Sequence, residues 1–107
     1  MKRALKKYVD LPGYVFFPTA LLHAKLSPTE VYVYALLLDR AVAAERGAPE
    51  EETAEEETFI CFPARELAET LGRSEGHVKQ ALRGLEKRAL ITRRRQGGGR
   101  PDRIWIN

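Results

Sequence analysis

Apolar side chains recur at helical spacing in three stretches of the chain, and cluster in short strand-like runs in four others. The first helix is announced by its start. Ser27 is a good N-cap, Pro28 suits the first helical position, and Glu30 completes a capping box. Val31-Tyr32-Val33-Tyr34 alone could be a strand, but the cap and the following Ala35-Leu36-Leu37-Leu38 predict a helix to about Glu45. A second helix is expected over Ala64–Leu71, with Leu67, Ala68 and Leu71 on one face and Glu66 and Glu69 outward. Pro63 fits its entry without offering a capping hydroxyl, and Gly72 can take the left-handed conformation that ends a helix. Ser74 then caps a third helix reaching about Arg88. Its Val78, Ala81, Leu82 and Leu85 follow the i, i+3, i+4, i+7 spacing of a face pressed into a core.

Short runs of aromatic and β-branched residues mark the strands. Tyr14-Val15-Phe16-Phe17 suits a short strand stopped by Pro18, followed by a helical turn over Thr19–Leu22. Thr58–Phe62 reads as another strand. Leu90–Arg95 and Asp102–Ile106 read as a hairpin whose tip is Gln96-Gly97-Gly98-Gly99-Arg100-Pro101, the glycines giving flexibility and close approach. Alternation puts Ile104 and Ile106 on one face of this hairpin and Trp105 on the other, as packing. Helix, tight turn, helix and hairpin, in that order, predict an α+β, mostly helical fold: a winged helix-turn-helix with a C-terminal β-hairpin wing. Residues 1–13 form a basic arm (Lys2, Arg3, Lys6, Lys7), and residues 14–107 form one domain.

The first helix is apolar on almost every face from Val31 to Leu38, so it must be covered all round. One small core covers one side. Either a second subunit or the N-terminal strand and arm cover the other.

Charge sharpens the functional reading. The net charge of +3 conceals a division: residues 1–57 carry 7 basic and 10 acidic side chains, residues 58–107 carry 11 and 5, and residues 73–103 carry 10 and 3. A positive field confined to one surface attracts polyanions there. Six glutamates between Glu50 and Glu57 make residues 46–57 a solvated loop, or a patch that keeps DNA off the wrong face.

Opposite its apolar face the third helix carries Gly76, Gln80, Arg83 and Lys87, with Lys79 beside them and His77 on the flank as an ordinary surface residue. Gln80 can pair with an adenine edge and Arg83 with the two guanine acceptors. Lys79 and Lys87 suit phosphates, because an ammonium is a point charge without planar geometry. Gly76 and Gly84 each cost a helix about 1 kcal/mol relative to alanine, which on an exposed face asks for a reason. At Gly76 that reason is close approach to a DNA backbone, or the glycine is a neutral accident. Arg73 and Ser74 at the helix entry, and Arg93, Arg94, Arg95, Gln96 and Arg100 on the wing, complete the candidate DNA-contact set. These residues point to sequence-specific binding of double-stranded DNA. The alternative is a winged helix whose basic face docks an acidic protein partner.

Other classes find no support. Neither His23 nor His77 has a partner at metal-ligand spacing, so no metal or cofactor is expected. The glycine-rich tip lacks the Gly-Lys-Ser/Thr ending of a phosphate loop, and no nucleophile–base pair suggests an enzyme. No apolar run approaches the ~20 residues of a membrane span. The single cysteine, Cys61, reads as core filler and fits a cytoplasmic protein.

Four stretches carry a family resemblance. They are Phe16-Phe17-Pro18-Thr19-Ala20-Leu21-Leu22; Leu26-Ser27 with Tyr34-Ala35-Leu36-Leu37-Leu38-Asp39-Arg40; Glu66-Leu67-Ala68-Glu69-Thr70-Leu71-Gly72-Arg73-Ser74; and Leu90-Ile91 through Arg95-Gln96-Gly97, Pro101 and Arg103-Ile104-Trp105. Over about residues 14–107 the chain resembles the N-terminal domain of the plasmid replication initiator A proteins of Gram-positive bacteria. The resemblance implies a homodimeric winged helix that binds repeated sites at a plasmid origin, for initiation or its control. It assigns DNA contact to Lys79, Gln80, Arg83 and Arg93 to Arg95. The chain departs from the family where its glutamate loop replaces a tighter connector with Asn, Gly and Trp. Full-length initiators continue into a C-terminal domain that engages host replication proteins, so the chain is expected to be an excised domain or a stand-alone relative.

Overall fold

A computed structural model of the chain describes residues 15, 17–47 and 59–107. A 3-10 helix, Thr19–His23, leads into α1 (Pro28–Gly47), β1 (Ile60–Cys61), α2 (Ala64–Leu71), α3 (Glu75–Lys87), β2 (Ile91–Arg94) and β3 (Arg103–Ile106). The three strands form one antiparallel sheet in the order β1-β3-β2. This is the expected α+β fold, with β2 and β3 as the wing. The basic arm and the glutamate-rich segment 48–57 lie outside the described residues.

Local chemistry sets the helix ends. Ser27 Oγ accepts from the Glu30 N–H at 3.2 Å, and Glu30 Oε1 accepts from the Ser27 N–H at 3.0 Å, which is the predicted capping box. α2 starts after Pro63 without a side-chain cap and ends at Gly72, whose φ of 65° is left-handed. Two residues later Ser74 Oγ accepts from the His77 N–H at 3.2 Å and opens α3.

The expected strand at residues 14–17 is not present in the part described: Val15 and Phe17 lie in irregular backbone. Phe17 packs edge-on against Tyr34, with ring centroids 6.2 Å apart, while Tyr14 and Phe16 lie outside the described residues. Of the strand expected over 58–62, Ile60–Cys61 pairs with β3.

The core lies between the helices and one face of the sheet. Val33 and Leu37 of α1, Leu67 of α2, Val78 and Leu85 of α3, and Ile91 and Ile104 of the sheet are its fully buried side chains. Each contributes about 1.5–3 kcal/mol by leaving water. The four apolar positions read on α3 are all buried, so its register is fixed and its polar stripe must face outward. Phe17, Leu21 and Leu26 cover part of α1 from within the chain. Tyr32 and Val42 remain exposed on it.

α1 and α3 cross at a contact the sequence did not reveal. Gly84 is half-buried, not exposed as expected, and a Cβ there would fall 2.5 Å from Glu30 Oε2. Glu30 is itself buried, and its carboxylate accepts from Arg88 Nε at 3.3 Å. Arg88 also donates to the Ala24 and Lys25 carbonyls, both at 3.1 Å. One guanidinium thus ties the end of α3 to the approach and first turn of α1.

Burial pushes the Glu30 carboxyl up, but the bonds from Ser27 and the charge and bond of Arg88 outweigh it, so it titrates below the ordinary carboxylate value. Its stabilisation is therefore complete above the unfolded-state value and lost as pH falls through the lower folded one. Glu30→Gln is expected to cost about 1 kcal/mol at pH 7, discounted because Arg88 is partly solvated. Thermal melts should show the gap from wild type closing as pH falls below the ordinary carboxylate value and through the lower folded one. A gap that stays constant across that range would mean the charge is not its source.

Candidate nucleic-acid interface

α3 forms a ridge between two grooves. Its outward residues Gly76, His77, Lys79, Gln80, Arg83 and Lys87 are all exposed. On one side a groove of about 660 Å³ separates it from the start of α1 and is lined by Ser27, Thr29, His77, Gln80 and Lys87 among others. On the other a groove of about 520 Å³ separates it from the wing; its cationic lining is Arg65, Lys79, Arg83, Arg93, Arg95 and Arg100. A helix is about 10–12 Å across, the width of a B-DNA major groove, and such a groove has a phosphate strand on each side.

The exposed stripe is mostly uncommitted. Lys79 lies 3.4 Å from Glu75 one turn earlier, a half-exposed pair that water screens. Gln80, Arg83 and Lys87 make no side-chain hydrogen bond or ion pair with any described residue. Gly76 has open space where a side chain would stand, so nothing inside the fold demands a glycine there.

The wing sorts its arginines by strand alternation. Arg93 shares the inner face with Ile104, its partner in the register, and donates to Glu86 at 3.1 Å. Arg95 and Arg100 are exposed and line the groove opposite Lys79 and Arg83. Arg94 pairs in register with Arg103 on the far face, away from α3. Gln96 holds the wing together: its amide donates to the Pro101 carbonyl at 2.7 Å, and its Oε1 accepts from Arg103 Nε at 3.2 Å. The tip glycines have a stricter job than flexibility. Gly97, Gly98 and Gly99 all have positive φ, of 73°, 59° and 74°, a run that side chains rarely tolerate.

The structure therefore gathers Gly76, Lys79, Gln80, Arg83, Lys87, Arg95 and Arg100 on one surface, with Arg93 beside them but held by Glu86. It places Arg94 elsewhere and gives Gln96 and the Ser74 hydroxyl internal partners. The Arg73 guanidinium stands 5.4 Å over the Tyr32 ring, toward α1. Arg65 was missed by sequence reasoning. It is highly exposed at the start of α2 and its weak 3.4 Å pair with Glu69 leaves it available. Only the docking of α2 beside the wing reveals it. Thr29, on the other groove, was missed for the same reason.

Comparison with known proteins places this geometry. The family model described as replication initiator protein A (RepA) N-terminus matches residues 7–107. The chain belongs to that family. With that family comes a place as the N-terminal part of a replication initiator. Two similar solved structures are titled "Structure of Rep-DNA complex" (TM-score 0.69) and "N-Terminal domain of DNA binding protein" (TM-score 0.68). Each is 17% identical, with 96% of this chain and 79% of the other covered. At that identity they establish the fold alone, which is the winged arrangement. No curated protein sequence matches the chain.

Proposed function

We propose that the domain binds double-stranded DNA sequence-specifically, with α3 in the major groove and the wing along the flanking backbone. The observation that carries this reading is the ridge itself. An uncommitted amide and guanidinium, Gln80 and Arg83, stand on a helix with a groove on either side, the wing-side one lined by six basic side chains and the other carrying Lys87. Gln80 and Arg83 read base edges. Lys79, Arg95, Arg100 and Arg65 hold one phosphate strand, and Lys87 holds the other. The Rep structure solved with DNA supports DNA as the partner. The domain works as a binding module without catalysis or cofactor, in the cytoplasm, and serves initiation at a plasmid origin or its control. A C-terminal domain of the full initiator would recruit host replication proteins.

The domain acts as a homodimer in this proposal. Leu22, Tyr32 and Val42 leave apolar surface exposed on and beside α1, which a second subunit would cover. No helix among the described residues is long and apolar enough to cross a membrane. Sedimentation showing only monomer at micromolar concentration would remove the dimer.

Five phosphate contacts give a log–log salt slope of about −4.5. Arg83→Ala should cost about 1–3 kcal/mol on the preferred duplex and erase discrimination between sites. Arg95→Ala should weaken every duplex alike and flatten the slope by about one. Fluorescence anisotropy on a selected and a scrambled duplex, at several salt concentrations, checks both. Identical behaviour of the two variants would refute this division of roles.

A further inference from the structure

The wing sheet has two faces, and the helices cover one. The register places Ile60, Ile104 and Arg93 in one row and Ile91 and Ile106 in the next, and these isoleucines face the core. The other face therefore carries Cys61, Arg103 and Arg94 in one row, and Trp105 and Thr92 in the next. Continuing the β1–β3 register sets Phe59 opposite Trp105.

This outer face has two unusual properties. The first is aromatic surface. Phe59 is 40% exposed, its ring lies 5.9 Å from that of Trp105, and the Arg103 guanidinium stacks 4.5 Å from its centre. The second is a like-charge pair. Arg94 and Arg103 are direct cross-strand partners, both are exposed, and neither has an ion pair with a described acidic residue. Like charges placed directly opposite on a sheet repel, so an anion seated between them relieves the repulsion.

We infer that this face is a second nucleic-acid site and that its ligand is single-stranded DNA. Unpaired bases offer the flat π-faces that Trp105 and Phe59 can stack, while the phosphates between them meet Arg94 and Arg103. A duplex offers only its phosphates here, because its bases are already stacked on one another. Neighbouring strands about 4.8 Å apart make a platform about 10 Å wide, enough for two nucleotides. The site is separate from the α3 surface and does not depend on the duplex-binding proposal.

Trp105 is the only tryptophan in the chain and so is its own reporter. Titrating the full chain with a twelve-residue oligothymidylate is expected to quench its fluorescence saturably, and saturating duplex should not abolish the quench. Phe59→Ala should weaken the oligothymidylate about tenfold and leave duplex affinity unchanged. Arg83→Ala should do the reverse. Trp105→Phe should keep binding measured by anisotropy of a labelled oligonucleotide. The inference is overturned by absence of quenching, by its loss to duplex competition, or by equal sensitivity to Arg83→Ala and Phe59→Ala. It is overturned too if an oligoglutamate peptide quenches as well as the oligonucleotide, or if quenching follows protein concentration without DNA. Retained oligothymidylate binding in a chain that fails to bind any duplex would sink the duplex reading and leave this one standing.

Discussion

The fold depends on how α3 is held, and the decisive contact is the crossing of α1 over Gly84. Glu30 is the one charged residue among those described that the structure buries. A buried carboxylate is tolerable only when its oxygens are bonded, and here the Ser27 N–H and the Arg88 guanidinium supply the donors. The same Ser27 hydroxyl starts α1, and the same Arg88 ends α3. Gly84 lets the two helices meet without a side chain in the way. The contact sets the rotation of α3 from its C-terminal end, while Val78, Ala81, Leu82 and Leu85 set it along its length. The polar stripe faces outward as the remainder of those two constraints.

Electrostatics then separates structural cations from available ones. Arg40 illustrates the first kind: it donates to Glu66 Oε1 at 2.8 Å and to the Cys61 carbonyl at 3.1 Å, and its guanidinium lies 3.5 Å from the centre of the Phe62 ring. The bond from Arg40 lowers the Glu66 carboxyl against a smaller opposing effect of burial. That pair is a joint between α1 and α2. Arg88 and Arg93 belong with it, each paired to a glutamate. Arg65, Lys79, Arg83, Lys87, Arg95 and Arg100 surround α3 and concentrate positive charge there, while Arg94 and Arg103 stand on the outer face of the sheet.

Much of this was legible in the chain. The capping box at Ser27, the bounds of α2 and its left-handed Gly72, the cap at Ser74 and the buried face of α3 all follow from signals within a few residues. Local signals failed where the partner lay far away in sequence. Glu30 and Arg88 are 58 residues apart, so neither the ion pair nor the reason for Gly84 could be read from spacing. Tyr14-Val15-Phe16-Phe17 has the composition of a strand, yet Val15 and Phe17 lie in irregular backbone and Phe17 packs on Tyr34, a contact 17 residues away that local composition does not encode. Counting Arg93 to Arg95 as one basic run ignored the pleat, which sends Arg93 and Arg95 toward α3 and Arg94 to the opposite face. Gln96 looked like a tip contact because its three internal bonds, to Pro101, Arg103 and the Cys61 sulfur, depend on the hairpin being closed and docked on β1.

The central claim is that an outward stripe on α3, flanked by two grooves, is where duplex DNA docks. Mapping amide and side-chain NMR shifts on addition of a duplex selected from a random pool tests it most directly. The account predicts the largest changes at Lys79, Gln80, Arg83 and Lys87, with smaller ones at Arg65, Thr29, Arg95 and Arg100, and little at Phe59 or Trp105. Changes concentrated on Tyr32 and Val42, or on the outer face of the sheet, with α3 silent, would contradict it.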